Sequence, residues 1–402
     1  MRKRLDDYRD IVGDEILFGI FKKALKLNGK RIVHINSTAM GGGVAEILRS
    51  LIPLMNDIGM DAGWRVIHGT QDFYNITKKF HNALQGEKIN LTKLKKQIYE
   101  STNEDFSFFT HLNHDFVIIH DPQPLPLIRY RSKQQPWVWR CHVDLSEPNP
   151  DLWHFLKLFL MRYDMMIISN DKYKKADIPI EQKIVFPSID PLTVKNMDID
   201  AATTAKVLKK FGVPTDKPLI TQISRFDKWK DPDGVIEIFK RVRSARDCRL
   251  VLCGGAASDD PEGIIIYEKT VKKGEELIKR GEIIMITAVS DVLVNVLQRE
   301  SSVIIQNSKR EGFGLTIAES LWKETPVVAT AVGGIPLQVI DGKNGYLVAT
   351  GDYDTAAERI MKILDDGELR KELGKNGKEH IRKHFLITRL LSDYLDLLNE
   401  LR

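Results

Sequence analysis

The chain has 402 residues, 43% of them hydrophobic and 29% charged, which excludes a disordered polymer and exceeds what one ordinary core organises. Its 60 basic and 55 acidic residues are mixed along the chain, and the net charge of +5 demands neither nucleic acid nor a membrane surface as a partner. Three cysteines, Cys141, Cys248 and Cys253, fit no disulfide framework and no zinc spacing; with a charged N-terminus and no apolar run near the roughly 20 residues of a bilayer span, a soluble cytoplasmic protein is expected.

In chain order, Arg31-Ile32-Val33-His34-Ile35 reads as a strand that runs into a glycine-rich turn. A helix follows over Ala45 to Ile58, with Ile47, Leu48, Leu51 and Leu54 or Met55 on one face, and Pro53 is expected to kink it or end it early. Further strands are Phe116–Ile119, Trp137–Trp139 and Met165–Ser169. A second series begins after a polar, helix-prone stretch near Asp198 to Phe211. It comprises strands at Pro218–Ile223, Arg249–Cys253, Ile283–Ile286, Val303–Ile305 and Pro326–Ala329, with a helix over Asp233 to Ala245. Continuous apolar runs suit parallel strands buried on both faces. Their alternation with helices predicts an α/β fold of two Rossmann-like, doubly wound domains with a cleft between them. We place the first, acceptor-binding domain at residues 1–205, completed by a C-terminal helix over 384–402, and the second, nucleotide-sugar-binding domain at 206–383.

Three stretches carry chemistry. Met40-Gly41-Gly42-Gly43-Val44 joins a strand to a helix, so Gly42 and Gly43 can bring backbone N–H groups close to a phosphate; the G-x-G-x-x-G fingerprint of dinucleotide binding is missing. Arg225 and Lys230, five apart on a strand-end loop, combine a forked guanidinium with an ammonium, a pair suited to a diphosphate. Lys309-Arg310-Glu311-Gly312-Phe313-Gly314-Leu315 follows a strand and turns into a helix holding Glu319. There Glu311 can reach sugar hydroxyls, Glu319 a ribose, and the N–H groups from Gly312 to Leu315 an anion. Asp121, Gln123, His142 and Asp144 lie on strand-end loops of the first domain and are candidate acceptor ligands, since sugar hydroxyls need carboxylate and amide partners.

The Glu311-x7-Glu319 spacing, the Arg225/Lys230 pair and the N-terminal glycine turn together resemble family 4 of the retaining GT-B glycosyltransferases, over about residues 30 to 385. The resemblance implies that Arg225 and Lys230 hold the donor diphosphate, Glu311 meets the transferred sugar, Glu319 bonds the ribose and His142 faces the sugar. Ser224 and Asp231 depart from the pattern, where many members carry glycine. The stretches His120-Asp121-Pro122-Gln123-Pro124 and Trp139-Arg140-Cys141-His142-Val143-Asp144 are similar to those of the trehalose glycosyltransferring synthases. That resemblance implies reversible transfer of glucose from a nucleoside diphosphate glucose to free glucose, giving α,α-trehalose. It leaves the base open, with Gly254, Gly255 and the segment after Ile286 expected to line the base pocket.

The expected partners are therefore a small sugar and a sugar nucleotide, with no nucleic acid and no membrane; a homodimer is compatible with the sequence. No cofactor is obligatory, because Arg225 and Lys230 can neutralise the diphosphate, although Mg²⁺ is compatible with the set. A glycosidase would need two carboxyl groups about 5 Å apart across the bond, a requirement that Glu311 and Glu319, one on a loop and one within a helix, do not suit. Another family 4 transferase with a different sugar or lipid acceptor, and a nucleotide-sugar-binding protein without turnover, are the alternatives.

Overall fold

The computed structural model describes residues 3–131, 135–255, 261–288 and 290–402. Its contacts divide the chain into two units, one of residues 1–188 with 385–402, the other of residues 189–384. The first holds β1 (Arg31–Asn36), β2 (Asp61–Val66), β3 (Phe116–His120), β4 (Trp137–Arg140), β5 (Met165–Ile168) and β6 (Glu181–Ile184). They form a six-stranded sheet in the order β2-β1-β3-β4-β5-β6. The second holds β7 (Leu219–Ile223), β8 (Arg249–Cys253), β9 (Ile283–Ile286), β10 (Val303–Gln306), β11 (Val327–Thr330) and β12 (Gly345–Val348). Its order is β12-β11-β10-β7-β8-β9, and the strand pairings in both sheets are parallel.

The central strands explain themselves chemically. β3, β7 and β8 are buried at every position, as parallel strands covered by helices on both faces must be. In the first unit Val117, Ile119, Trp137 and Trp139 meet Phe80, Tyr99, Phe155 and Phe159 in one core. In the second, Ile220, Leu250 and Val328 meet Val235, Phe239 and Ile360. Chain order reverses between β1 and β3 in one sheet and between β7 and β10 in the other. Open α/β sheets bind ligands outside the carboxyl ends of strands at such switch points, so the fold itself singles out four strand ends.

Two sequence expectations need correction. The boundary expected at residue 205 lies instead at Ser188/Ile189. Side-chain bonds hold the intervening segment on the second unit: Asn295 Nδ2 donates to the carbonyls of Val194 and Met197, both at 2.8 Å, and Lys323 Nζ donates to Asn196 Oδ1 at 2.8 Å. Of the two outcomes expected for Pro53, a kink or an early end, the early end does not occur: the helix runs over Gly43–Asp57. A proline in a helix interior costs about 3 kcal/mol, but Leu51, Leu54 and Met55 around it are fully buried, and that burial offsets the cost.

The C-terminal helix Ile387–Glu400 belongs to the first unit and packs on the helices Asp14–Ala24 and Gly43–Asp57. Among the described residues no helix is long and apolar enough to cross a membrane.

Candidate active site

In the second unit the switch-point strands β7 and β10 each run into a loop, and the two loops are tied together. The Lys309 N–H donates to the Trp229 carbonyl at 2.7 Å, and Gln222 Nε2 at the end of β7 donates to the Lys230 carbonyl at 2.9 Å. This places Lys230 beside Glu311: the ammonium donates to Glu311 Oε2, an ion pair with both side chains largely buried. Ser308 Oγ donates to the same oxygen at 3.3 Å. Arg225 stands apart, its side chain 53% exposed and its guanidinium 3.7 Å from the Asp227 carboxylate. It keeps the reach that a ligand-binding guanidinium needs.

Asp231, one of the two departures from the family pattern, has φ 46°, the left-handed region that favours glycine. Its carboxylate compensates. It accepts from Asn307 Nδ2 at 2.9 Å and from the Tyr353 hydroxyl at 3.0 Å, and it pairs with Lys309 at 3.0 Å. The usual glycine is thus replaced by an aspartate anchored on three sides, and the loop carrying Lys230 is fastened to the loop carrying Glu311.

The helix Leu315–Trp322 begins at Gly314, whose φ of 87° turns the chain into the helix, and no side chain caps that start among the described residues. A helix start of this kind presents N–H groups and the positive end of its dipole, which favour an anion. Gly334 packs against this turn so closely that a Cβ there would lie 2.8 Å from Phe313 Cα and 2.9 Å from the Gly312 carbonyl. Glu319 is buried one turn in. Gln298 Nε2 donates to its Oε2 at 3.2 Å, and the Lys195 ammonium lies 3.7 Å from Oε1. Lys323 donates to Gln298 Oε1 at 2.8 Å, which orients the amide, and burial pushes the Lys323 ammonium down to about 7. Sequence reasoning misses Lys195, Gln298 and Lys323, since none lies in a motif and two of the three reach Glu319 from other elements.

Gly254 and Gly255 follow β8; the Gly254 N–H bonds the Ile286 carbonyl at 2.9 Å, so the expected base-pocket segments adjoin. Part of that expectation, Val289, lies outside the described residues.

In the first unit β1 leads to the turn ending at Gly42, with φ 96°, which opens the helix Gly43–Asp57 without a side-chain cap among the described residues. A Cβ at Gly41 or Gly42 would meet nothing within 4 Å, so the space above this helix start is open. β3 and β4 carry the remaining candidates. Asp121 has φ 61° and is engaged by its backbone and its side chain alike: its N–H bonds the Arg140 carbonyl at 2.9 Å, its carbonyl accepts from Trp139 Nε1 at 2.9 Å, and its Oδ1 accepts the His142 N–H at 2.8 Å. Burial pushes its carboxyl up to about 7. Asp144 Oδ1 accepts from the N–H and Oγ of Ser146 at 2.8 and 2.6 Å. Both aspartates hold their loops in shape. The Gln123 amide oxygen is buried without a hydrogen-bond partner among the described residues.

His142 sits at the outer end of a row of rings that sequence reasoning does not assemble. His34 Nδ1 and His120 Nε2 share a hydrogen bond of 2.9 Å, and His120 Nδ1 and His142 Nε2 one of 3.0 Å. The rings stack with centroids 5.2 and 5.3 Å apart. Burial holds His34 down to about 3 and pushes His120 and His142 well below the usual imidazole range; the buried Arg140 guanidinium adds to the shift of the latter two. At neutral pH all three are uncharged.

Two doubly wound parallel units, each with a helix start at its switch point, are the architecture of the GT-B class of glycosyltransferases. Solved structures share this architecture: a trehalose-phosphate synthase (UDP-forming) from Burkholderia xenovorans (TM-score 0.74, 13% identity, 92% of this chain and 100% of that one) and a sucrose-phosphate synthase from Thermosynechococcus elongatus (TM-score 0.72, 16% identity, 92% and 99%). Family models match as well, the trehalose synthase N-terminal domain over residues 34–175 and glycosyl transferases group 1 over residues 204–380. Curated relatives include the trehalose synthases of Thermococcus litoralis (48% identical, 99% of this chain and 97% of the relative) and Rubrobacter xylanophilus (40%, 99% and 97%). The chain belongs to the trehalose synthase family of glycosyltransferases.

Proposed function

We propose that this protein moves glucose from a nucleoside diphosphate glucose to free glucose with retention at the anomeric carbon, forming α,α-trehalose, and that the reaction runs in both directions. The observation that carries the reading is the charged strand-end set Arg225, Lys230, Glu311 and Glu319 beside an uncapped helix start, in a chain that matches trehalose synthases over nearly its whole length. The donor diphosphate is held by Arg225, Lys230 and the first N–H groups after Gly314, which stabilise the charge that grows on the departing phosphate. Glu311 meets the transferred glucose and Glu319 the ribose. The bond from C1 to the phosphate oxygen breaks as the bond from C1 to the acceptor oxygen forms on the same face, and the departing phosphate accepts the acceptor's proton. On the first unit, His142 contacts the transferred glucose. Gln123, with its unpartnered amide oxygen, is the acceptor ligand the geometry favours over Asp121 and Asp144.

The test mixes purified protein with free glucose and UDP-, ADP- or GDP-glucose in turn. The expected product, followed by NMR, is the symmetrical α,α-linked disaccharide together with the matching nucleoside diphosphate. Hydrolysis of trehalose without any nucleotide would overturn the proposal.

A further inference from the structure

The row of three histidines follows from strand register. In the β1/β3 pairing His34 stands opposite Ile118, and in the β3/β4 pairing His120 stands opposite Arg140. His120 is therefore two residues beyond His34's partner, and His142 two residues beyond His120's. A step of two keeps all three side chains on one face of the sheet, so the row runs diagonally across the switch point from the core to the strand end. Exposure follows the same course: His34 is 0% exposed, His120 1%, and His142 half-buried.

Three neutral imidazoles carry three ring protons, and two N···N bonds each need one of them. Only two orders satisfy both bonds. In the first, each inner ring donates outward, leaving a bare lone pair on His34 Nε2 and a proton on His142 Nδ1. In the second, each outer ring donates inward, leaving an N–H on His34 Nε2 and a bare His142 Nδ1. His34 Nε2 is buried with no hydrogen-bond partner among the described residues, and His34 meets the Tyr394 ring edge-on at 5.6 Å. An orphaned buried N–H is the rarer and costlier of the two ends.

We propose that His34 and His120 are positioning residues that fix the tautomer of His142, so that it meets its ligand as an Nδ1–H donor. The direction of a hydrogen bond at the site surface is thus set two rings away, in the core. His120 donates from Nδ1 to His142 Nε2, which occupies the nitrogen a general base would use and turns the imidazole into a hydrogen-bond donor to an acceptor oxygen, such as a sugar hydroxyl. The tautomer stands on the geometry alone, whereas the sugar as its ligand rests on the function proposed above.

The experiment labels the full-length protein with ¹⁵N-histidine and reads the ring nitrogens of His142 from long-range ¹H–¹⁵N correlations, assigned with His142→Gln. The expected wild-type result is a protonated, pyrrole-type Nδ1 and a bare, pyridine-type Nε2, the tautomer that a free imidazole side chain disfavours. In His120→Phe, His142 should revert to the Nε2–H form, and kcat should fall about tenfold, the size of one lost hydrogen bond, with the donor KM within about twofold. His34→Phe, one ring further in, should give a mixture of tautomers and a smaller loss. A wild-type His142 with a bare Nδ1 overturns the proposal without any variant, and so does a folded His120→Phe protein whose His142 tautomer is unchanged. If the spectrum is as expected but no glucose is transferred, the ordered row stands and the assigned reaction fails; if glucose is transferred by a protein with the opposite tautomer, the reaction stands and the ordered row fails.

Discussion

The strand ends of the two units use opposite electrostatics. In the second unit the switch point between β7 and β10 gathers basic and acidic side chains, with Arg225, Lys230, Glu311 and Glu319 paired or partly exposed. In the first, the switch point between β1 and β3 is ringed by three histidines pushed toward the neutral form and an aspartate whose carboxyl is pushed up to about 7. A site for a dianionic diphosphate needs charge that stays charged. A site that only orients hydroxyls is better served by neutral donors and acceptors of fixed direction. On the proposed function one fold supplies both, because what differs is the chemistry placed at equivalent strand ends rather than the sheets that present it.

The contrast can be tested by breaking one side at a time. The largest effect is expected from Arg225→Ala, which on the proposed mechanism removes the positive charge that offsets the leaving phosphate: kcat should fall about a hundredfold or more, by analogy with lost oxyanion donors. Steady-state kinetics with saturating donor would check this, and unchanged turnover would remove Arg225 from the mechanism.

The neutral side should show itself in stability against pH. Below pH 6.5 the unfolded chain binds protons that buried His34 resists down to about 3, so stability is present above that pH and is lost as pH falls through this window. Each such histidine contributes about 1.4 kcal/mol per pH unit. Denaturant unfolding at pH 7 and pH 5 should show the loss, and His34→Gln should flatten the slope by about that amount. An equal slope in both proteins would mean that His34 titrates normally.

Glu319→Gln should raise the donor KM about tenfold with little change in the acceptor KM, the size of one charge-assisted hydrogen bond. A smaller, sharper discriminator is ionic strength. Raising salt toward about 0.5 M should raise the donor KM a few-fold by screening the charged site, while the acceptor KM stays level. Parallel increases in both constants would erase the contrast between the units.

Much of this is legible in the residues because buried strands advertise themselves. β1, β3, β4, β5 and β7–β11 are apolar runs, and each lies within a residue or two of its expected place. β2, β6 and β12 escape that reading. All three are sheet edges, hydrogen-bonded on one side only; β6, Glu181-Gln182-Lys183-Ile184, and β2 carry the polar residues that an edge tolerates, whereas β12, Gly345-Tyr346-Leu347-Val348, is apolar but short and opens on a glycine. The charged residues stand out in the sequence because Arg225, Lys230 and Glu311 lie in two strand-end loops and Glu319 in the helix that follows the second. The histidine row does not, since His34, His120 and His142 are far apart in the chain and meet only through the registers of β1, β3 and β4. Three histidines, each near the end of an apolar run, are the available signal, but it becomes meaningful only once strand order is known.

The C-terminal helix has a consequence for how the protein is made. The first unit is built from residues 1–188 and 385–402, with the whole second unit inserted between them in the chain. Leu390, Leu391, Tyr394 and Leu398 of that helix are almost completely buried. During synthesis the sheet that leaves the ribosome first must therefore wait, with part of its apolar surface uncovered, for the helix Ile387–Glu400 to emerge, while the second unit already has its whole sequence. The unit translated first is the last to be finished, and its exposed interval lengthens with the time needed to translate the nearly 200 residues of the second unit.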